Sequence, residues 1–131
     1  MKVAKMVRQW TVGAAVLGVG VLISSGAVAK DTSFSEDVAP LLKQYCAECH
    51  TPPDGVGYKA SGLDVTSHTA VMAGTSHGSI ITPGDASLSN LMLLIEGQAD
   101  PSIKMPHNKG FLPKKERNVI RRWINEGALD N

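Results

Sequence analysis

Two thiols and an imidazole stand within five residues, Cys46-Ala47-Glu48-Cys49-His50. This CxxCH spacing is the attachment signature of c-type haem. Two thiols three residues apart, at the end of a helix, can each add to one haem vinyl group. His50 then lies beside the porphyrin face, where its imidazole can bind the iron. The expected cofactor is one covalent haem c per chain, held by Cys46 and Cys49, with His50 as an iron ligand. Other readings of the same residues are weaker. A redox-active CxxC suits thioredoxin-like folds, which need a βαβ context that the chain does not show. Zinc needs four ligands in tetrahedral reach, yet no second CxxC and no HxxxH follows. A plain disulfide would leave the adjacent His50 unexplained.

The iron's sixth ligand must come from elsewhere. Candidates are Met72, Met92, Met105, His68, His77 and His107. Met92 sits on the apolar side of an expected helix, where core packing is the ordinary role. His68 and His77 lie in polar, glycine-rich sequence, where an exposed histidine is the default. Met72 follows a short expected turn and stays in play. Met105 lies in Lys104-Met105-Pro106, in a loop ahead of the last expected helix. Pro106 fixes its own φ and restricts Met105 to extended backbone. A stiffened loop can hold a thioether against iron, and thioether ligation raises the reduction potential. His107, two residues on, is the main competitor.

Three helices are expected to position these groups. Phe34, Val38, Leu41, Leu42 and Tyr45 share one face of a helix over Phe34–Ala47. Ser33 or Ser35 can cap it, with Glu36 and Asp37 in its first turn. Pro40 is tolerated only early in a helix, so the register around it is open. Thr51–Gly84 is rich in glycine and proline and reads as a long loop, with one helical turn around Ser67–Met72. Such a loop suits a wrapped ligand. Asp85–Glu96 reads as the second helix, with Leu88, Leu91, Met92 and Ile95 on one side and Gly97 as its stop. Pro113–Glu126 is the third, with Val119, Ile120, Trp123 and Ile124 inward. Pro113 takes its first position. Lys114, Lys115, Arg117, Arg121 and Arg122 lie opposite. No convincing strand appears, so the expected class is all-α, about three helices plus long loops around one haem.

Ahead of this lies a different kind of sequence. Lys2, Lys5 and Arg8 precede an almost uncharged run, Trp10–Val28, that ends in Ala27-Val28-Ala29. A positive start, an apolar middle and small residues before a cut describe a secretory signal peptide. Residues 1–29 are the expected leader and 30–131 the haem domain, exported to the periplasm. The alternative is an uncleaved anchor, since about 20 apolar residues suffice to span a bilayer. Ser24, Ser25 and four glycines weaken the run as a membrane helix. Cleavage removes three of thirteen basic residues and no acid. Ten basic residues then face twelve acidic ones, a net charge of −2.

The whole chain of 131 residues has a formal net charge of +1, so no basic stripe marks a nucleic-acid binder. Hydrophobic residues make up 43%, which excludes disorder and collagen. Aromatic residues are only 5%, little bulk for a core. A covalent haem would supply apolar bulk that composition does not count.

The order of features resembles the cytochrome c family, in particular the short c-type cytochrome domain of planctomycete multidomain proteins. The matching elements are Val38-Ala39-Pro40-Leu41-Leu42 before the CxxCH, Gly62-Leu63-Asp64, Pro83-Gly84-Asp85, Lys104-Met105-Pro106 and Arg122-Trp123-Ile124-Asn125-Glu126-Gly127-Ala128. The resemblance implies a compact all-α, cytochrome c-like fold with first and last helices in contact. It also implies that the Met of the MP pair, here Met105, is the sixth ligand. The sequence departs from the pattern at His107, where a second proline is usual. It departs again at Leu112-Pro113-Lys114-Lys115, where Ser or Asp usually caps the last helix.

A haem with both axial positions filled by protein has no open site for substrate, and its use is outer-sphere electron transfer. The expected function is a soluble periplasmic one-electron carrier and not an enzyme. Its expected partners are periplasmic redox enzymes or membrane electron-transfer complexes, met through small charge-steered contacts. The basic side of the last helix is a candidate docking patch, and equally an ordinary solvated face. Two alternatives differ in class. One is a haem enzyme or gas sensor with an open sixth site and His77 or His107 as acid–base group. The other is an electron-transfer subunit of a larger complex, with Trp10–Val28 kept as anchor.

Overall fold

A computed structural model describes residues 30–131. The expected leader, its cleavage after Ala29 and the alternative anchor Trp10–Val28 lie outside the described residues. Among the described residues the fold is helical, with one isolated bridge between Thr75 and Gly78 and no strand. The all-α expectation holds, but five α-helices stand where three were expected.

Helix α1 opens with a π-helical turn, Phe34–Val38, and continues as α-helix Ala39–Tyr45. Ser33 is the cap: its Oγ accepts from Glu36 N–H at 3.2 Å, and Asp37 Oδ2 accepts from Ser33 N–H at 2.9 Å. The wide turn settles the register around Pro40. Proline offers no N–H to the carbonyl four residues back and crowds it. Ala39 N–H instead reaches Phe34 O, one residue farther than in an α-helix. Phe34, Val38 and Leu42 are buried, as their spacing predicts.

The stretch Thr51–Gly84 holds two short helices, α2 (Val56–Ser61) and α3 (His68–Ala73). Ser67 caps α3 by accepting from Ala70 N–H at 3.2 Å. No sequence signal announces α2, because glycines and prolines surround it. Tertiary contact holds it: Tyr58 N–H donates to Cys49 O at 2.9 Å. Gly62 stops it at φ +75°, a conformation glycine adopts without cost.

Helix α4 covers Asn90–Ile95 and starts five residues later than expected. Asp85 does not open a helix. Its Oδ1 accepts from Ser87 N–H at 2.8 Å and Leu88 N–H at 3.1 Å, closing a local turn. Ser89 Oγ donates to Asp85 O at 2.8 Å. Short polar side chains thus satisfy the backbone outside a helix. Leu88 consequently points to solvent, 68% exposed, while Leu91, Met92 and Ile95 are buried. A 3₁₀ turn, Pro101–Ile103, follows.

Helix α5 spans Lys114–Asn125, with Pro113 one position outside it. Ile120, Trp123 and Ile124 are buried, and Trp123 Nε1 donates to Leu129 O at 2.9 Å. The first and last helices touch, with Phe34 and Trp123 ring centroids 5.5 Å apart. Asn131 O accepts from Ser33 Oγ at 2.7 Å and Ser35 N–H at 3.0 Å, joining the two ends of the described chain. Half-buried Glu96 and Arg121 form an ion pair between α4 and α5.

Candidate haem-binding site

The end of α1 delivers the motif. Cys49 N–H and His50 N–H both donate to Cys46 O, at 3.1 and 2.9 Å. This tight turn brings both thiols and the imidazole to the wall of one cavity of about 320 Å³. Small-molecule and cofactor sites are typically clefts of about 300–1,000 Å³. The lining is mostly aliphatic. Leu42 comes from α1, Val71 from α3, Leu91, Leu94 and Ile95 from α4, and Ile80 from the connection between α3 and α4.

Both cysteines are free and half-buried. Burial pushes the Cys46 thiol up to about 11; the second thiol adds to the shift and Lys109 opposes it. Cys46 thus rests as a neutral thiol. His50 is buried, and burial pulls its imidazole below the ordinary histidine value, partly offset by the Leu63 backbone. A neutral imidazole is the form that binds metal. His50 Nδ1 is buried without a well-formed hydrogen bond, which in a finished interior marks an unused polar group.

The opposite rim is the loop ahead of α5. Met105 N–H donates to Leu94 O at 3.2 Å, tying the loop to α4. Lys104 Nζ donates to Lys109 O at 2.8 Å, and His107 Nδ1 donates to Lys104 O at 3.1 Å. The loop therefore closes on itself. The Met105–Pro106 bond is cis. Lys109 pairs with Glu48, the residue between the cysteines, so the loop and the CxxCH turn are joined at the cavity mouth. Sequence alone carried no signal for this pair, because 61 residues separate its members.

Of the six candidate sixth ligands, Met105 and His107 line the cavity. Met92 is core, 1% exposed, and Met72 packs at the edge of the same core. His77 is exposed, as expected. His68 departs from expectation. Its ring lies edge-on to Phe34 and Trp123, and its Nε2 donates to Ala128 O at 2.7 Å. The helix α5 cations divide as well. Arg121 is paired and Arg117 lies 5.9 Å over the Phe111 ring, while Lys114, Lys115 and Arg122 are exposed.

These residues fit a covalently held haem. Two thiols, a buried imidazole and a thioether share one apolar cavity. Among the described residues, no three His, Cys, Asp or Glu side chains converge as a separate metal site, which leaves the zinc reading without support. The arrangement defines the class: a cytochrome c-like domain, all-α, with the CxxCH turn on one wall of its cavity. A sequence model of the family described as Planctomycete cytochrome C matches residues 46–108, from the first cysteine to just past the Met105 loop. The match supports a planctomycete-type cytochrome c domain over these residues, the haem-binding unit of an electron carrier. No curated protein and no solved structure matches the chain. No helix of the described residues is long and apolar enough to cross a membrane.

Proposed function

We propose that this protein is a monohaem c-type cytochrome that carries single electrons between redox partners in the periplasm. One observation carries the reading. The Cys46 and Cys49 thiols, the His50 imidazole and the Met105 thioether all line the same apolar cavity. A bound haem supplies one-electron exchange between ferrous and ferric iron. Cys46 and Cys49 would hold the ring covalently through their thiols. His50 and Met105 would ligate its iron. Leu42, Val71, Leu91 and Ile95 keep water from the ring and tune its potential through low polarity. The Glu48–Lys109 pair keeps the Met105 loop against the CxxCH turn.

Export follows from the leader-like residues 1–29, and the compartment agrees with covalent haem attachment outside the cytoplasm. The partners are periplasmic redox enzymes or membrane electron-transfer complexes. Exposed Lys114, Lys115 and Arg122 give them a cationic surface to meet.

Spectra of the purified protein test the reading. Wild type should show a thioether-to-iron charge-transfer band, and Met105→Ala should lose it and shift the reduction potential. An unchanged spectrum and potential in Met105→Ala would remove Met105 as ligand. A second reading rests on His107, which lines the same cavity. In that case His107→Ala changes the spectrum instead. An open sixth position shows itself by rapid carbon monoxide binding in the wild type. Intact mass settles both the start of the mature chain and the number of haems.

A further inference from the structure

A residue with no side chain lies close against the His50 ring. Gly57 is the second residue of α2 and lies in the cavity wall. A β-carbon there would stand 2.7 Å from His50 Cε1, 2.8 Å from Nε2 and 3.0 Å from Nδ1. The three distances are nearly equal, so the added atom would sit over the nitrogen-bearing side of the ring. Real β-carbons essentially never stand so close, so a side chain at this position would force a shift.

The backbone beside Gly57 is tied to the CxxCH turn. Tyr58 N–H is bonded to Cys49 O at 2.9 Å, and Ser61 Oγ donates to Gly57 O at 2.7 Å. Two residues earlier, Gly55 packs so closely that its own β-carbon would collide with the carbonyl oxygens of Cys49 and Thr51. On the far side, Val65 N–H bonds His50 O at 3.1 Å, so the His50 backbone is held too. Both partners of the contact are therefore fixed, and the freedom left is rotation of the ring. Gly57 has no positive φ, so left-handed backbone does not account for glycine here. Glycine is disfavoured inside a helix relative to alanine. Close approach of the imidazole is what accounts for it.

We infer that Gly57 is a positioning residue whose bare α-carbon sets the plane of the His50 imidazole and so the orientation in which the ring lines the cavity. The inference rests on the reading of His50 as a haem ligand. It extends that reading to a residue that makes no bond to the cofactor.

The test compares haem-loaded wild type, Gly57→Ala and Gly110→Ala. Gly110 has open space around it and serves as control. Intact mass first establishes that both thioethers have formed in each protein. Low-temperature electron paramagnetic resonance and redox titration then read the ligand field. Gly57→Ala should shift the g-values and the potential, with both thioethers intact, while Gly110→Ala matches wild type. A loaded Gly57→Ala protein with wild-type g-values and potential overturns the inference and leaves the proposed function standing. A wild-type protein without covalent haem overturns both. Should Gly57→Ala not accumulate, reduced wild type decides. A nuclear Overhauser contact between Gly57 Hα and His50 Hε1 supports the inference, and its absence overturns it.

Discussion

A chain with Cys46→Ser and Cys49→Ser, stripped of haem, is expected to lose most of its helix. The magnitude follows from the cavity. At about 24 cal/mol per Å³ of unfilled apolar volume, 320 Å³ corresponds to about 8 kcal/mol. The open mouth admits some water, so this is an upper figure. A domain the size of residues 30–131 has a total stability of about 5–15 kcal/mol. At that upper figure the cavity term is half or more of the total. Local structure offers little reserve. Helices α2, α3 and α4 have six residues each, whereas isolated helices need about 12–15 to persist in water. Far-UV circular dichroism of the haem-free chain beside the loaded wild type is the assay, followed by thermal melts of both. The expected result is less than half the native helical signal and no cooperative transition. Native helix content with a cooperative melt would refute the reasoning. It would mean that the aliphatic lining collapses on itself and that the ring is not part of the core.

Two further outcomes are expected. Leu88→Ser should change stability by no more than about 0.5 kcal/mol because Leu88 faces solvent, whereas Leu91→Ala should cost about 2–5 kcal/mol; urea titration separates a helix starting at Asn90 from one starting at Asp85. The Asp85 carboxyl is held below its usual 3.8, chiefly by the Ser87 hydroxyl and then by the Leu88 and Ser87 N–H groups. Its folded value is depressed, so its contribution is present above the unfolded value and is lost as pH falls through the folded one. Asp85→Asn should flatten that part of the acid stability profile, read by denaturant melts between neutral and acid pH.

Much of the site was legible because its signals are local. The CxxCH spacing lies within one turn, and the helical spacing of Phe34, Val38 and Leu42 reports a buried face directly. The misreadings share one cause. The spacing of Leu88 suits a helix, but Asp85 and Ser89 satisfy the backbone locally and end that option. Helix α2 reads as loop because its composition is that of a loop, and bonds to other segments hold it, Tyr58 N–H to Cys49 O and Ser76 N–H to Ser61 O. His68 reads as exposed in polar sequence, yet Phe34 and Trp123 arrive from both ends of the chain to enclose it.

By itself the sequence determined which residues are candidates for the chemistry. Two thiols and an imidazole at fixed spacing point to one prosthetic group, and their roles depend only on a single turn of backbone. The apolar faces of α1 and α5 were equally settled by helical periodicity. Tertiary structure alone decided what surrounds that chemistry. It brought Met105 and His107 to the cavity and left Met92 and His77 outside it. It paired Glu48 with Lys109 and pressed Gly57 against His50. Such contacts depend on how distant segments pack, and packing is a property of the closed chain that no short stretch of residues encodes.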